Sequence, residues 1–155
     1  MLAEMQLDIL FLDIDGVLNP DKENYPDVFS PDCVTQLKRL FEARPKTKIV
    51  FSTTWRLETA FFVLGWLWRI HDLPVRAVVG RTPEIRHDQR GLEIRQWLEN
   101  SRAMFPGCSV HRYAVLDDEV EPILEAVPAG NVFACDPCHG LTADVTDRLI
   151  QHFSA

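Results

Sequence analysis

The sequence predicts an α/β fold: a doubly wound, five-stranded parallel sheet with helices on both faces. Three observations predict it. Five short apolar runs of strand length alternate with longer segments of helical periodicity. Runs joined by helices form parallel strands, because a parallel crossover needs about a dozen residues. The runs are also nearly uninterrupted by polar residues, as strands covered on both faces are.

Taken in order, residues 7–12 read as the first buried strand. Ser30-Pro31-Asp32 opens a helix, with Ser as cap and Pro in the first helical position. Val34, Leu37, Leu40 and Phe41 then share one face. Residues 48–51 make the second strand, and 56–70 a helix rich in Trp and Phe. Residues 75–79 make the third strand, ended by Gly80. A helix over 91–102 carries Leu92, Ile94, Trp97 and Leu98. Residues 113–116 are the fourth strand and end in Asp117-Asp118. A short helix over 121–127, a strand over 132–134 and a helix over 141–153 close the chain. Trp66, Trp68 and Trp97 read as core or helix-packing residues. The architecture is Rossmann-like, with right-handed crossovers. No repeat, low-complexity tract or linker divides the chain, so residues 1–155 are expected to be one domain.

Composition excludes several classes. With 46% hydrophobic and 25% charged residues, the chain has the make-up of a globular protein with a real core. The net charge of −7 gives no general attraction for polyanions, so a nucleic acid would need a local basic patch. The longest apolar stretch, residues 59–67, is too short to span a bilayer. The start includes Glu4 and Asp8 and lacks a basic, leader-like segment, so no membrane partner and a cytoplasmic location are expected. Cys33, Cys108, Cys135 and Cys138 are expected as free thiols. Cys135-Asp136-Pro137-Cys138-His139 matches a haem-attachment pattern, which would require export. A zinc site for that pair lacks partners at the right spacing, a redox pair is the alternative, and structural thiols are the expectation.

The chemistry concentrates at strand ends. Ligands bind outside the carboxyl ends of the strands in open α/β sheets. Asp13-Ile14-Asp15-Gly16 follows the first strand, Ser52-Thr53-Thr54-Trp55-Arg56 the second, and Asp117-Asp118-Glu119 the fourth. Two carboxylates so close repel each other and call for a divalent cation or a proton. Each fragment alone has a bland reading: a turn, a helix cap, or acids at a helix N-terminus. Together they converge on one edge. Carboxylate oxygens without His or Cys ligands suit Mg²⁺, and hydroxyls and cations beside it suit a phosphoryl group.

This order of motifs resembles the phosphatase branch of the haloacid dehalogenase (HAD) superfamily. FLDIDGVLN, FSTTWR, RGLEIRQWL, LDDE and CDP..GLT resemble, more narrowly, the HAD domains of Swiss Army knife RNA repair proteins. The likeness runs from about Ile9 to Leu141. It implies a HAD-like fold and Mg²⁺-dependent hydrolysis of a phosphomonoester through an aspartyl-phosphate. Asp13 would be the nucleophile, and Asp15 the general acid and then base. Asp13, Asp15 (through its backbone carbonyl) and Asp117 would hold Mg²⁺, with Asp118 in or near the coordination sphere. Ser52 would bind the phosphoryl oxygens, with Thr53 as alternate and Gly16 and Arg56 as further substrate contacts. The cationic position, usually Lys, falls to Arg90, with Arg86 as rival. Val17 stands where many such phosphatases have Thr.

The spans 15–52 and 80–90 are too short for an inserted cap domain, so the mouth should admit bulky phosphorylated substrates. A nucleic-acid end or a nucleotide is the favoured class. Arg81, Arg86, His87 and Arg90 could track a phosphate backbone, and Trp55 could stack on a base or pack at the rim. The alternative is a catalytically weak module of the same fold that binds phosphate or a nucleic-acid end. A dehalogenase would not need Asp117 and Asp118.

Overall fold

The structure is a computed structural model that describes residues 3–20, 29–85 and 89–154. Its elements are β1 (Met5–Leu12), α1 (Pro31–Ala43), β2 (Thr47–Phe51), α2 (Glu58–Ile70), β3 (Val78–Arg81), α3 (Arg90–Met104), β4 (Cys108–Asp117), α4 (Glu121–Leu124), β5 (Val132–Ala134) and α5 (Ala143–Ser154). Three 3₁₀ turns, Thr54–Arg56, Val75–Ala77 and Ala129–Asn131, lead into α2, β3 and β5. The strands form one sheet in the order β3-β2-β1-β4-β5, and every pairing is parallel. The predicted fold class is observed. No cap domain interrupts it among the described residues.

Alternation along β1 sorts the core into two layers. Leu10 and Leu12 join a cluster with Leu37, Leu40, Leu64, Leu67, Trp68 and Leu149, so α1, α2 and α5 cover that face. Leu7, Ile9 and Phe11 join Ile94, Trp97 and Ile123 beneath α3 and α4. β1 is buried on both faces, which is why its sequence lacks polar alternation. The chain winds outward from β1 to β3, then returns to the other side of β1 to build β4 and β5. That reversal opens a crevice between the ends of β1 and β4.

Four local expectations are corrected. Residues 75–77 form a 3₁₀ turn and β3 starts at Val78, because Pro74 cannot donate to a ladder and sets up the turn. β4 is ten residues long. Its polar first half, Cys108–Arg112, pairs with Met5–Asp8 of β1, so pairing extends a strand that apolarity alone would stop at residue 113. The helix over 121–127 is regular only to Leu124. Trp66 is 60% exposed, because α2 turns it with Phe62 away from the sheet, while Trp68 and Trp97 are buried as expected.

Two tight loops brace the crevice. After β1, the amides of Val17, Leu18 and Asn19 all donate to the Ile14 carbonyl, and Ile14, Val17 and Leu18 plug the core. After β5, Asp136 accepts from the Cys138 amide, and Leu141 N–H donates to the Val17 carbonyl at 2.8 Å. Gly140 sits at φ 67°, and a Cβ there would lie 2.8 Å from Cys33 Sγ. The CDP..GLT segment thus supports the first loop. Cys108, Cys135 and Cys138 are free thiols; Cys135 is in the core and Cys138 faces solvent, so these two form no pair. Burial first, then Cys33 and nearby aspartates, push the Cys135 thiol up to about 12.

Candidate active site

The reactive groups stand where the winding reverses. Leu12 pairs with Leu116, and Asp13 N–H continues the ladder by donating to the Leu116 carbonyl at 3.1 Å. Asp13 and Asp117 therefore leave neighbouring strand ends side by side, 4% and 0% exposed. Asp118 joins them: each of the three offers an oxygen within 4.8 Å of the others. Gly16 makes this approach possible. It adopts φ 77°, and a Cβ there would collide with the Asp118 carboxylate.

Arg90, the first residue of α3, reaches into the cluster. Its Nη1 lies 2.5 Å from Asp117 Oδ2 and 3.4 Å from Asp13 Oδ2. Among the described residues, one guanidinium faces three carboxylates. Burial, with the Asp117 charge second, pushes Asp13 up to about 9 against the opposing pull of Arg90. Burial also raises Asp117, again against Arg90. Burial alone would weaken the Arg90 charge, but Asp117 and Asp13 overcome it and hold the proton more firmly than usual.

The hard oxygens of Asp13, Asp117 and Asp118 could hold a divalent metal ion. The charge shortage and the space kept by Gly16 fit that reading. Asp15 lies outside this trio: it is exposed, and its carboxylate accepts from Trp55 Nε1 at 3.0 Å and Asn19 Nδ2 at 3.4 Å.

The end of β2 brings hydroxyls alongside. Ser52 N–H donates to the Leu12 carbonyl at 3.1 Å, and Ser52 is fully buried. Its Oγ has no hydrogen-bond partner among the described residues. A buried hydroxyl without a partner is costly, and an incoming oxygen would relieve it. Thr53 is also buried, but its Oγ1 already accepts from Trp55 N–H at 3.2 Å as a cap.

Arg56, expected as a substrate contact, is 3% exposed and fully engaged. Its Nε donates to the Thr82 carbonyl at 2.9 Å, Nη1 to the Thr53 carbonyl at 2.8 Å, and Nη2 to Glu93 Oε2 at 2.7 Å. Glu93 also accepts from the Ile85 amide at 3.0 Å. Arg81 Nη1 donates to the Arg56 carbonyl, and its guanidinium stacks 4.3 Å from the Phe61 ring centre. Arg86 and His87, the other basic candidates, lie outside the described residues.

A cavity of about 370 Å³ opens over these groups. Asp13, Asp15, Arg56, Arg90 and Asp118 line it, with the acids Glu84, Glu93 and Glu119. Sequence reasoning missed Glu93 and Asn19, and named Trp55 only for stacking or rim packing. RGLE holds a signal for Glu93, three residues after Arg90 on the same helix face. Nothing local signals the contact between Trp55 and Asp15, forty residues apart.

Comparisons with known proteins agree with the fold. The family described as "HAD domain in Swiss Army Knife RNA repair proteins" matches the chain over residues 9–145. Among solved structures, the HAD domain of effector protein Lem4 from Legionella pneumophila superposes with a TM-score of 0.60 at 11% identity, over 96% of each chain. At that identity the likeness speaks for the fold. No curated protein matches the chain. Among the described residues, no helix is long and apolar enough to cross a membrane.

Proposed function

The chain belongs to the family of HAD domains found in Swiss Army knife RNA repair proteins, and from that premise we propose that it is a Mg²⁺-dependent phosphomonoesterase. HAD membership supports phosphohydrolase chemistry in general. The observation that carries the specific reading is the trio of Asp13, Asp117 and Asp118, which among the described residues is contacted by one arginine.

In this reading Asp13 attacks phosphorus and forms an aspartyl-phosphate. Asp15 gives a proton to the leaving oxygen, then takes one from the hydrolytic water. Ser52 Oγ supplies a hydrogen bond to the phosphoryl group, which explains an otherwise orphaned hydroxyl. Arg90 offsets the negative charge of the phosphoryl oxygens. Asp13, Asp117, Asp118 and the Asp15 backbone carbonyl would hold Mg²⁺, whose chemistry is to neutralise charge on the transferring group. Arg56 serves better as the anchor of the Thr53–Trp55 turn than as a phosphate ligand, since protein acceptors take Nε, Nη1 and Nη2.

No cap domain covers the mouth among the described residues, which leaves room for a nucleic-acid end, the substrate class that the family description favours. Phosphate release from p-nitrophenyl phosphate should require Mg²⁺ and disappear in Asp13→Asn. Full activity in that variant would refute the nucleophile assignment. Side-by-side rates on 3′-phosphorylated RNA, 5′-phosphorylated DNA and free nucleotides identify the substrate; a clear preference for free nucleotides would reject the nucleic-acid end.

A further inference from the structure

Trp55 is tied in place from three directions. Its amide is capped by Thr53 Oγ1 at 3.2 Å. The next residue, Arg56, is locked to Glu93 of α3 at 2.7 Å. Its ring packs against the core cluster that contains Leu12 and Phe51. From this rigid seat its only side-chain polar atom, Nε1, donates to Asp15 Oδ2 at 3.0 Å. Asp15 is exposed, so an unrestrained carboxylate there would sample several rotamers.

We infer that Trp55 is a positioning residue: its indole N–H anchors Oδ2 and thereby fixes the orientation of the Asp15 carboxylate, and so of Oδ1, at the cavity rim. An indole N–H can only donate, so the oxygen it binds is favoured as the acceptor. The partner of the other oxygen, Asn19, has a side-chain amide that can present either a donor or an acceptor. In the first step the proton passes from Oδ1 to the leaving oxygen as its bond to phosphorus breaks and Asp13 bonds to phosphorus. In the second, water bonds to phosphorus, its proton returns to Oδ1, and the Asp13–phosphorus bond breaks.

This inference rests on the phosphomonoesterase reading, and the test separates the two. A proton donor matters little for a good leaving group and much for a poor one. We would measure kcat/KM for aryl phosphates from p-nitrophenyl to 4-methoxyphenyl in wild type, Trp55→Phe and Asp15→Asn. Trp55→Phe should lose about twofold on the first substrate and about tenfold or more on the last, a share of the 10²–10⁴ that general acids supply. In the Asp15→Asn background the same change should cost little further. If Trp55→Phe misfolds, 3-benzothienylalanine at position 55, which removes only the N–H, is read the same way. An equal loss across the series, or full additivity with Asp15→Asn, overturns the positioning role while leaving the hydrolase intact. A wild type inert on every member, with Mg²⁺ present, overturns the hydrolase reading instead.

Discussion

Arg56 and Arg90 line one cavity and each contacts a buried carboxylate, yet they are set in opposite balance. Among the described residues Arg56 meets a single acid, Glu93, and spends its remaining donors on backbone carbonyls; the two side chains are 4% and 6% exposed. Arg90 meets Asp13 and Asp117, with Asp118 close by, and is 21% exposed. The first pair is matched in charge and satisfied in hydrogen bonds. The second is short of positive charge and holds a carboxylate raised to about 9. A balanced pair is architecture; an unbalanced one has capacity left for a ligand.

Breaking the unbalanced side at its centre should give the largest effect. Asp13→Asn should reduce phosphate release by at least about 10³-fold while the protein stays folded, since in the proposed reaction Asp13 supplies the attacking oxygen. Breaking the balanced side should cost stability. Arg56→Met or Glu93→Gln leaves a buried partner unmatched, at about 3–5 kcal/mol by urea unfolding. Replacing both, as Arg56→Met with Glu93→Leu, should cost less than the worse single change.

Arg90→Ala sharpens the contrast. It should lower kcat/KM about a hundredfold. Its stability cost should stay below about 1.5 kcal/mol, because Asp13 and Asp117 can take up protons in its absence. A loss as large as that of Arg56→Met would erase the distinction.

The pH dependence follows the same imbalance. Asp13 binds its proton more tightly folded than unfolded, so without a divalent ion its contribution is full below about pH 4, near the ordinary carboxyl value of 3.8. It declines as pH rises toward about 9, by at most about 1.4 kcal/mol per pH unit. Thermal melts in chelator should fall from pH 5 to pH 8, and Asp13→Asn should flatten that fall. The smallest effect is expected from Gly16→Ala. A residue with a Cβ at φ 77° costs about 1–2 kcal/mol, and displacing Asp118 should weaken Mg²⁺ binding in a titration.

Much of this was readable along the chain. The strand and helix order, the end of β1 at Leu12 and the end of β4 to within one residue of Asp117 followed from apolar runs and breakers. The motif order was enough to indicate the family. Other features were not readable. Arg56 follows a Thr-rich turn and reads as a phosphate contact, but Glu93, thirty-seven positions later, decides its fate. Trp66 and Trp68 differ by two residues on α2, so periodicity suits either to the core, yet only Trp68 is turned toward the sheet. β4 began earlier than its apolarity suggested because β1 was there to pair with it.

By itself, the sequence determined which groups stand at strand ends, since local periodicity sets where each element stops and all parallel strands end on the same side. Only the tertiary structure decided which of those groups are neutralised and which are left wanting. Whether an arginine finds its acid, or a serine finds nothing, depends on residues brought together from distant parts of the chain. No local pattern encodes that charge balance.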